Sequence, residues 1–134
     1  MQRNTRQREV IREVFASAGR PLTPQEAAAA AQDALPSLGV ATVYRAVKEL
    51  ADEGWLVALT VAGTMRFELA SKGHDHHHHF HCHRCDRTFD IEACAGDLSR
   101  LVPSGFVMES HELTLNGACS ACVQKTRSGG RRAR

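Results

Sequence analysis

Two Cys-x-x-Cys pairs constrain this 134-residue chain more than any other feature of its sequence. The pairs are Cys82/Cys85 and Cys119/Cys122, and 33 residues lie between them. Two such turns brought together supply four thiolates to one tetrahedral zinc ion. A zinc ion bound in this way would join the first and last strands of a small domain. Redox pairs or incidental thiols are the alternative interpretation.

The distribution of metal-binding residue types divides the chain into two halves. All five cysteines and all eight histidines lie after residue 73. Residues 74–122 carry three Lys/Arg and seven Asp/Glu, whereas residues 1–73 carry nine and eight. We therefore predict one domain over residues 1–70 and an acidic, metal-binding domain over residues 74–122. Cys94 has no partner in this pattern, and we interpret it as a core or capping residue.

The composition indicates a globular protein of the cytoplasm with no membrane partner. Hydrophobic residues make up 43% and charged residues 24%, and no apolar run approaches the roughly 18 residues that span a bilayer. Residues 1–14 show no export signal. In a cytosolic protein, clustered cysteines favour metal binding over disulfides. Two domains this small bury little apolar surface each, so we expect the metal to add stability.

The first half has the periodicity of three helices followed by a hairpin. Apolar residues recur at helical spacing from Thr5 to Ala18, and a capping Thr23 with Glu26 three residues later begins a second helix. Two strands rich in β-formers, Trp55–Val61 and Thr64–Leu69, flank an Ala-Gly turn. This order predicts a winged helix-turn-helix.

The third helix follows Gly39 and leaves a polar face beside its stripe of valines and Leu50. The N-terminal side chains of a recognition helix enter the major groove of DNA. Tyr44 and Arg45 are therefore candidate contacts to bases or phosphates, and Thr42 and Lys48 are candidate contacts to the DNA backbone. For Lys48, a solvated surface position is the alternative.

An internal histidine run precedes the first cysteine pair. Successive side chains of an extended strand point to opposite faces, so His76 and His78 would face one way and His77 and His79 the other. One strand could thus serve two metal sites, because imidazole binds Zn, Fe, Co, Ni and Mn. The side chains available to complete these sites are Glu68, Asp90, Asp97 and His111. A solvated polyhistidine loop that binds metal loosely is the alternative.

The remaining segments predict a small α/β domain and a tail. We expect short strands at Phe80–His83 and Arg87–Ile91, a helix at Cys94–Leu101 and a longer strand at Phe106–Leu115. Residues 123–134 carry five basic and no acidic residues, which favours a basic, disordered tail. The whole chain is therefore expected to have an α+β fold.

Three separated segments resemble the ferric uptake regulator family. They are Gly39–Arg45, His76–Cys85 and Cys119–Cys122, and the resemblance covers about residues 5–122. It implies a winged helix joined to an α/β dimerisation domain that holds a structural zinc. It also implies regulatory divalent metals that favour the DNA-binding form.

The resemblance assigns three metal sites to positions of this sequence. The structural zinc falls on Cys82, Cys85, Cys119 and Cys122, the regulatory metal on Glu68, His77, His79 and Asp90, and a second metal on His76, His78, Asp97 and His111. Two departures from the family pattern leave the regulatory metal open among zinc, iron and manganese. The resemblance implies a histidine from the DNA-binding half in the iron- and peroxide-sensing branches, and no histidine precedes His74. It implies a regulatory cysteine in the zinc-sensing branch, and no cysteine occurs between Gly54 and Lys72, where Glu68 would be the substitute. Zinc is slightly favoured over iron.

The expected function is a homodimeric, metal-dependent transcriptional repressor. Metal would fix the angle between two winged helices so that they fit a palindromic double-stranded DNA operator of metal-homeostasis genes. A metal-storage protein or metallochaperone is the alternative. We expect no enzyme and no small organic substrate, because a four-thiolate site is closed to water and the sequence lacks the deaminase pattern of His-x-Glu with Pro-Cys-x-x-Cys.

Overall fold

The computed structural model describes residues 2–73, 78–93 and 96–128 of the chain. The first half consists of helices α1 (Gln2–Ala18), α2 (Pro24–Ala34) and α3 (Val40–Asp52), followed by strands β1 (Leu56–Val61) and β2 (Thr64–Leu69). A one-turn helix α4 (Ala70–Gly73) ends this half. The second half consists of strands β3 (His78–Cys82), β4 (Thr88–Ile91) and β5 (Thr114–Gly117), a 3₁₀ turn at Ser99–Leu101 and helix α5 (Ser120–Ser128).

The three helices pack around a single apolar core in the first half. Ile11, Phe15, Val43 and Leu50 are at most 2% exposed, and the small residues of α2 allow it to pack closely. The predicted capping box is present: the Thr23 side chain accepts from the Glu26 backbone N–H, and Glu26 accepts from the Thr23 backbone N–H. The two bonds satisfy backbone donors that the first turn of α2 would otherwise leave open.

Strands β1 and β2 form an antiparallel hairpin that is the wing. Ala62 and Gly63 connect them with positive φ angles of 54° and 78°, as a type I′ turn requires. Two backbone hydrogen bonds between Leu22 and Phe67 attach β2 to the segment before α2. This hairpin places residues of β2 at the boundary with the second half.

The second half contains a three-stranded sheet in the order β4-β3-β5. Strand β3 pairs antiparallel with β4 and parallel with β5. Consequently the turn after β3 and the segment after β5 lie at the same end of the sheet, where the two cysteine pairs follow. No helix in the described part of the chain has the length and apolar character needed to cross a membrane.

Three predictions for the second half were wrong. In place of a helix over Cys94–Leu101, the described residues form only the 3₁₀ turn from Ser99. In place of a strand over Phe106–Leu115, only β5 forms, and it pairs with β3 over four residues. Strand-forming residues need a neighbouring backbone to pair with, and β3 supplies one only to this short segment. In place of a tail from residue 123, α5 continues to Ser128, since Gln, Lys and Arg are good helix formers.

Candidate metal centres and nucleic-acid interface

The four predicted cysteines converge at one end of the β4-β3-β5 sheet. The Cys82 and Cys122 sulfurs are 3.7 Å apart, and the Cys85 and Cys119 sulfurs are 3.8 Å apart. These distances rule out disulfides, in which the sulfurs are about 2.05 Å apart. Zn–S bonds of about 2.3 Å in a tetrahedron give S···S distances of about 3.8 Å. The spacing therefore fits a bound zinc ion.

The surroundings of the thiols also fit a metal. Burial opposes ionisation of Cys82, yet backbone N–H groups of Cys85, Cys119 and Arg84 outweigh it and lower the Cys82 thiol pKa to about 5. Burial and the neighbouring thiols raise the Cys122 thiol pKa to about 12. Four thiolates so close together need a cation to be charged at once. This four-cysteine cluster could hold a structural zinc.

Glu68, His79 and Asp90 form a second group, which we call the hinge cluster. His79 Nε2 lies 3.3 Å from Asp90 Oδ1 and 3.7 Å from Glu68 Oε2. The side chain of His79 is 16% exposed, and each of the two carboxylates is 5% exposed. Glu68 comes from the wing strand β2, whereas His79 and Asp90 are paired across β3 and β4. The cluster therefore joins the two halves of the chain.

The electrostatics of the hinge cluster favour a cation. Hydrogen bonds first to Asp90 and then to Glu68 raise the pKa of His79 from 6.5 to about 9, against the effect of burial. One imidazole and two carboxylates are a ligand set that divalent transition metals accept. His77, which we also predicted for this site, lies outside the described residues.

The opposite face of β3 carries His78, as strand alternation predicts. Its ring stacks on His111 with centroids 5.1 Å apart, and its Nδ1 accepts from the Leu113 backbone N–H at 3.1 Å. Asp97 instead accepts from the Ser99 backbone N–H at 2.9 Å. Among the described residues, Asp97 forms no group of ligand atoms with the two histidines. His76 lies outside the described residues.

Helix α3 presents the polar face predicted for a recognition helix. Tyr44 is 39% exposed, and Arg45 and Lys48 are also exposed. Thr42 is half-buried, and its hydroxyl accepts from Arg45 Nη2 at 3.3 Å. The opposite face carries Val43, Ala46, Val47 and Leu50, which are buried. The core thus fixes which side of α3 faces solvent.

The family model described as the Ferric uptake regulator family matches residues 2–116. The chain belongs to this family. A ferric uptake regulation protein of Cupriavidus metallidurans is 33% identical over 85 residues, which are 62% of this chain and 59% of that relative. One from Staphylococcus aureus is 30% identical over 87 residues, 65% and 63% of the two chains. The match thus spans less than two thirds of the length of these relatives.

A further relative and two solved structures match over more of their length. The peroxide operon regulator of Bacillus subtilis is 27% identical over 127 residues, which are 92% of this chain and 86% of that relative. A zinc-bound manganese uptake regulator superposes with a TM-score of 0.74 at 22% identity, covering 84% of this chain and 87% of that one. The Helicobacter pylori ferric uptake regulator gives 0.64 at 24% identity, covering 88% and 80%. These structures establish the shared fold.

Three polar residues near the hinge cluster were missed by the sequence reasoning. Arg66 of β2 bonds to Asp86, which follows the first cysteine pair, and Asp86 lies 3.2 Å from His81 Nε2. The one signal that could have drawn attention to them is a second charged residue, Arg66, on the same short strand as Glu68. Its partner lies 20 residues away, so no local pattern indicates the contact.

Proposed function

We propose that this chain is a metal-dependent DNA-binding transcriptional repressor that acts as a homodimer. The observation that carries the proposal is the hinge cluster, in which Glu68 of the winged helix meets His79 and Asp90 of the second half. A metal bound there would fix the angle between the two halves, with His77 as a further ligand. Members of the family are transcriptional regulators, which supports a regulator rather than an enzyme.

Metal can change DNA affinity only if it binds one arrangement of the halves more tightly than another. The hinge cluster meets this requirement because its ligands come from both halves, and an open arrangement would separate Glu68 from the other two. The DNA-competent arrangement then presents Tyr44 and Arg45 of each copy to one half-site of a palindrome, with Thr42 and Lys48 near phosphates. The regulated genes would be those of metal homeostasis.

The sensed metal is proposed to be zinc, ahead of iron and manganese. The nitrogen and oxygen ligands of the hinge cluster suit all three. The iron- and peroxide-sensing branches resemble each other in using a histidine of the DNA-binding half, and no histidine precedes His74 here.

The second proposed site, with His76, His78, Asp97 and His111, is supported by the contact between His78 and His111.

The homodimer is proposed from an apolar surface of the second half. Phe106 is 69% exposed, Val107 84% and Leu115 51%. Exposed apolar patches are typical of an interface, and we propose that these three residues contribute to one. A second copy covering this surface would also provide a pairing partner for the residues that precede β5. Light scattering of the zinc-loaded protein tests this, because Val107→Asp should shift it from dimer to monomer.

The decisive experiment measures DNA affinity with and without metal. A duplex is first selected from a random pool with the protein in excess Zn²⁺, which can fill both clusters. Its anisotropy is then titrated in chelator that spares the structural zinc and in buffered Zn²⁺, Mn²⁺ or Fe²⁺. Equal affinity under all conditions would overturn the proposal. Asp90→Asn should abolish the metal response, whereas Asp33→Asn on the exposed face of α2 should retain it.

A metal-storage protein or metallochaperone is separated from a repressor by the helix α3 variants. Arg45→Ala should weaken binding to the selected duplex and leave the metal content of the protein unchanged. A storage protein would show no DNA binding for this substitution to affect.

A further inference from the structure

Arg66 is the largest side chain that is completely buried in the described part of the chain. It lies on β2 of the winged helix, two residues before Glu68 of the hinge cluster. A guanidinium stays protonated in proteins, so burial is tolerable only if partners compensate for lost water. The partners of Arg66 therefore indicate why a charge is placed there.

Both terminal nitrogens of Arg66 bond to Asp86. Nη1 donates to the Asp86 carbonyl oxygen at 3.0 Å, and Nη2 donates to Oδ1 at 3.2 Å. Nη1 also lies 3.9 Å from Glu26 Oε1, within the capping box at the start of α2. The contact thus connects the winged helix to the turn that carries the first cysteine pair. We call it the Arg66–Asp86 bridge.

Asp86 occupies a backbone position that suits glycine. Its φ is +62°, in the left-handed region that side chains with a Cβ rarely adopt. The backbone N–H of Asp86 donates to the Cys82 carbonyl at 2.8 Å, which a glycine would do equally well. The carboxylate is what glycine lacks, and it contacts both Arg66 and His81 Nε2, each at 3.2 Å. These contacts give the side chain a role that offsets the unfavourable backbone.

The bridge and the hinge cluster run side by side between the same two strands. Residues two apart on a strand share a face, so Arg66 and Glu68 lie together on β2, as do His79 and His81 on β3. Glu68 meets His79, and Arg66 reaches His81 through Asp86. The first connection is a set of metal ligands. The second contains a permanent cation and needs no metal.

We propose that Arg66 and Asp86 are positioning residues that form a metal-independent hinge between the two halves. The bridge keeps β2 against the first cysteine turn when the hinge cluster is empty, and so holds Glu68 near His79 and Asp90. This inference rests on the proposed function, because it takes the hinge cluster as the regulatory site. Without the bridge, Glu68 can move away from His79 and Asp90, so the arrangement that binds metal is less populated. The apparent metal affinity then falls in proportion.

The experiment compares two substitutions of Asp86. Asp86→Gly removes the carboxylate and its contacts to Arg66 Nη2 and His81, and leaves only the bond from Arg66 Nη1 to the backbone carbonyl of residue 86. It also relieves the backbone, so the cysteine turn should still form. Asp86→Asn tolerates the same φ and keeps an oxygen that accepts from Arg66. Co²⁺ binding is measured by calorimetry on protein that carries one zinc per chain, at the four-cysteine cluster, and we call this state zinc-loaded. Zinc content by mass spectrometry is the control for that cluster.

We expect Asp86→Gly to weaken Co²⁺ binding about tenfold, a coupling of ordinary size between two sites. Asp86→Asn should stay within about threefold of the unsubstituted protein because most of the bridge remains. Zinc content should be the same in all three proteins. Small-angle scattering of the zinc-loaded protein without Co²⁺ should show a larger radius of gyration for Asp86→Gly alone. If Asp86→Gly binds Co²⁺ as the unsubstituted protein does, the proposal is wrong.

A second variant tests whether the two residues act together. Arg66→Met removes both bonds of the bridge and keeps most of the volume, so the double variant with Asp86→Gly should bind Co²⁺ no more weakly than Arg66→Met alone. Additive losses would show that the residues act independently, which contradicts the bridge. If the unsubstituted protein binds no Co²⁺ beyond its zinc, the proposed function fails and the hinge fails with it. If the unsubstituted protein binds Co²⁺ and the variants bind it equally well, only the proposed hinge is wrong.

Discussion

At His79, a proton and the proposed hinge metal would compete for the same imidazole. Hydrogen bonds to Asp90 and Glu68 raise its pKa to about 9, so the metal-free protein holds a proton there at neutral pH. The proton serves as the cation between two carboxylates until a metal replaces it. Because a ligating histidine must be neutral, metal binding at the hinge cluster has to release that proton.

This competition predicts a proton release close to one per hinge metal at pH 7. A histidine with a pKa of 6.5 would release only about a quarter of a proton at that pH. The affinity should rise about tenfold per pH unit from pH 7 until the pH approaches the raised pKa. Calorimetry of zinc-loaded protein in buffers of different ionisation enthalpy measures the release. A value near a quarter, with affinity almost constant above pH 7, would contradict the contacts seen at His79.

The turn between β1 and β2 is conformationally strained at Ala62. Ala62 has φ of 54°, and the type I′ turn it occupies prefers Asn followed by Gly. Ala62→Asn should therefore raise the free energy of unfolding by about 0.5–1 kcal/mol. Urea denaturation of the zinc-loaded protein provides the measurement. Ala58→Asn, at an exposed position of β1 in the same hairpin, is the control and should not stabilise.

The capping box at the start of α2 stabilises the first turn of that helix. Thr23→Ala removes the acceptor for the Glu26 backbone N–H, which should lower the free energy of unfolding by about 1 kcal/mol. Thr23→Ser keeps the hydroxyl and should recover most of that loss. Equal unfolding midpoints for the alanine variant and the unsubstituted protein would show that the cap contributes nothing.

Elements with strong local signals were predictable from sequence, and elements that depend on distant partners were not. Thr23, Pro24 and Glu26 define the start of α2 within four residues, and the cysteine pairs specify their own cluster by spacing. Phe106–Leu115 has strand-forming residues, but a strand also needs a neighbouring backbone. Arg66 and Asp86 meet only because the wing packs on the second half, a contact that no periodicity encodes.

At the scale of the whole molecule, a zinc ion held by the four-cysteine cluster should supply much of the stability of the second half. The apolar core cluster lies in the winged helix, whereas residues 99–125 are mostly exposed. The four-cysteine cluster joins the turn after β3 to the segment after β5, and so closes a long loop. A structural zinc in such a site contributes directly to folding free energy.

Loss of the zinc should therefore act unevenly along the chain. Cys122→Ser should remove the bound zinc and speed amide exchange at His79 and His83, whose N–H groups bond to the Leu113 and Gly117 carbonyls. Exchange at Leu22 and Phe67, which bond to each other in the winged helix, should change much less. Cys94→Ser is the matched control and should retain one zinc per chain. Equal acceleration in both halves would show that they unfold as one unit, so the zinc would stabilise the entire molecule and the two-domain description would be wrong.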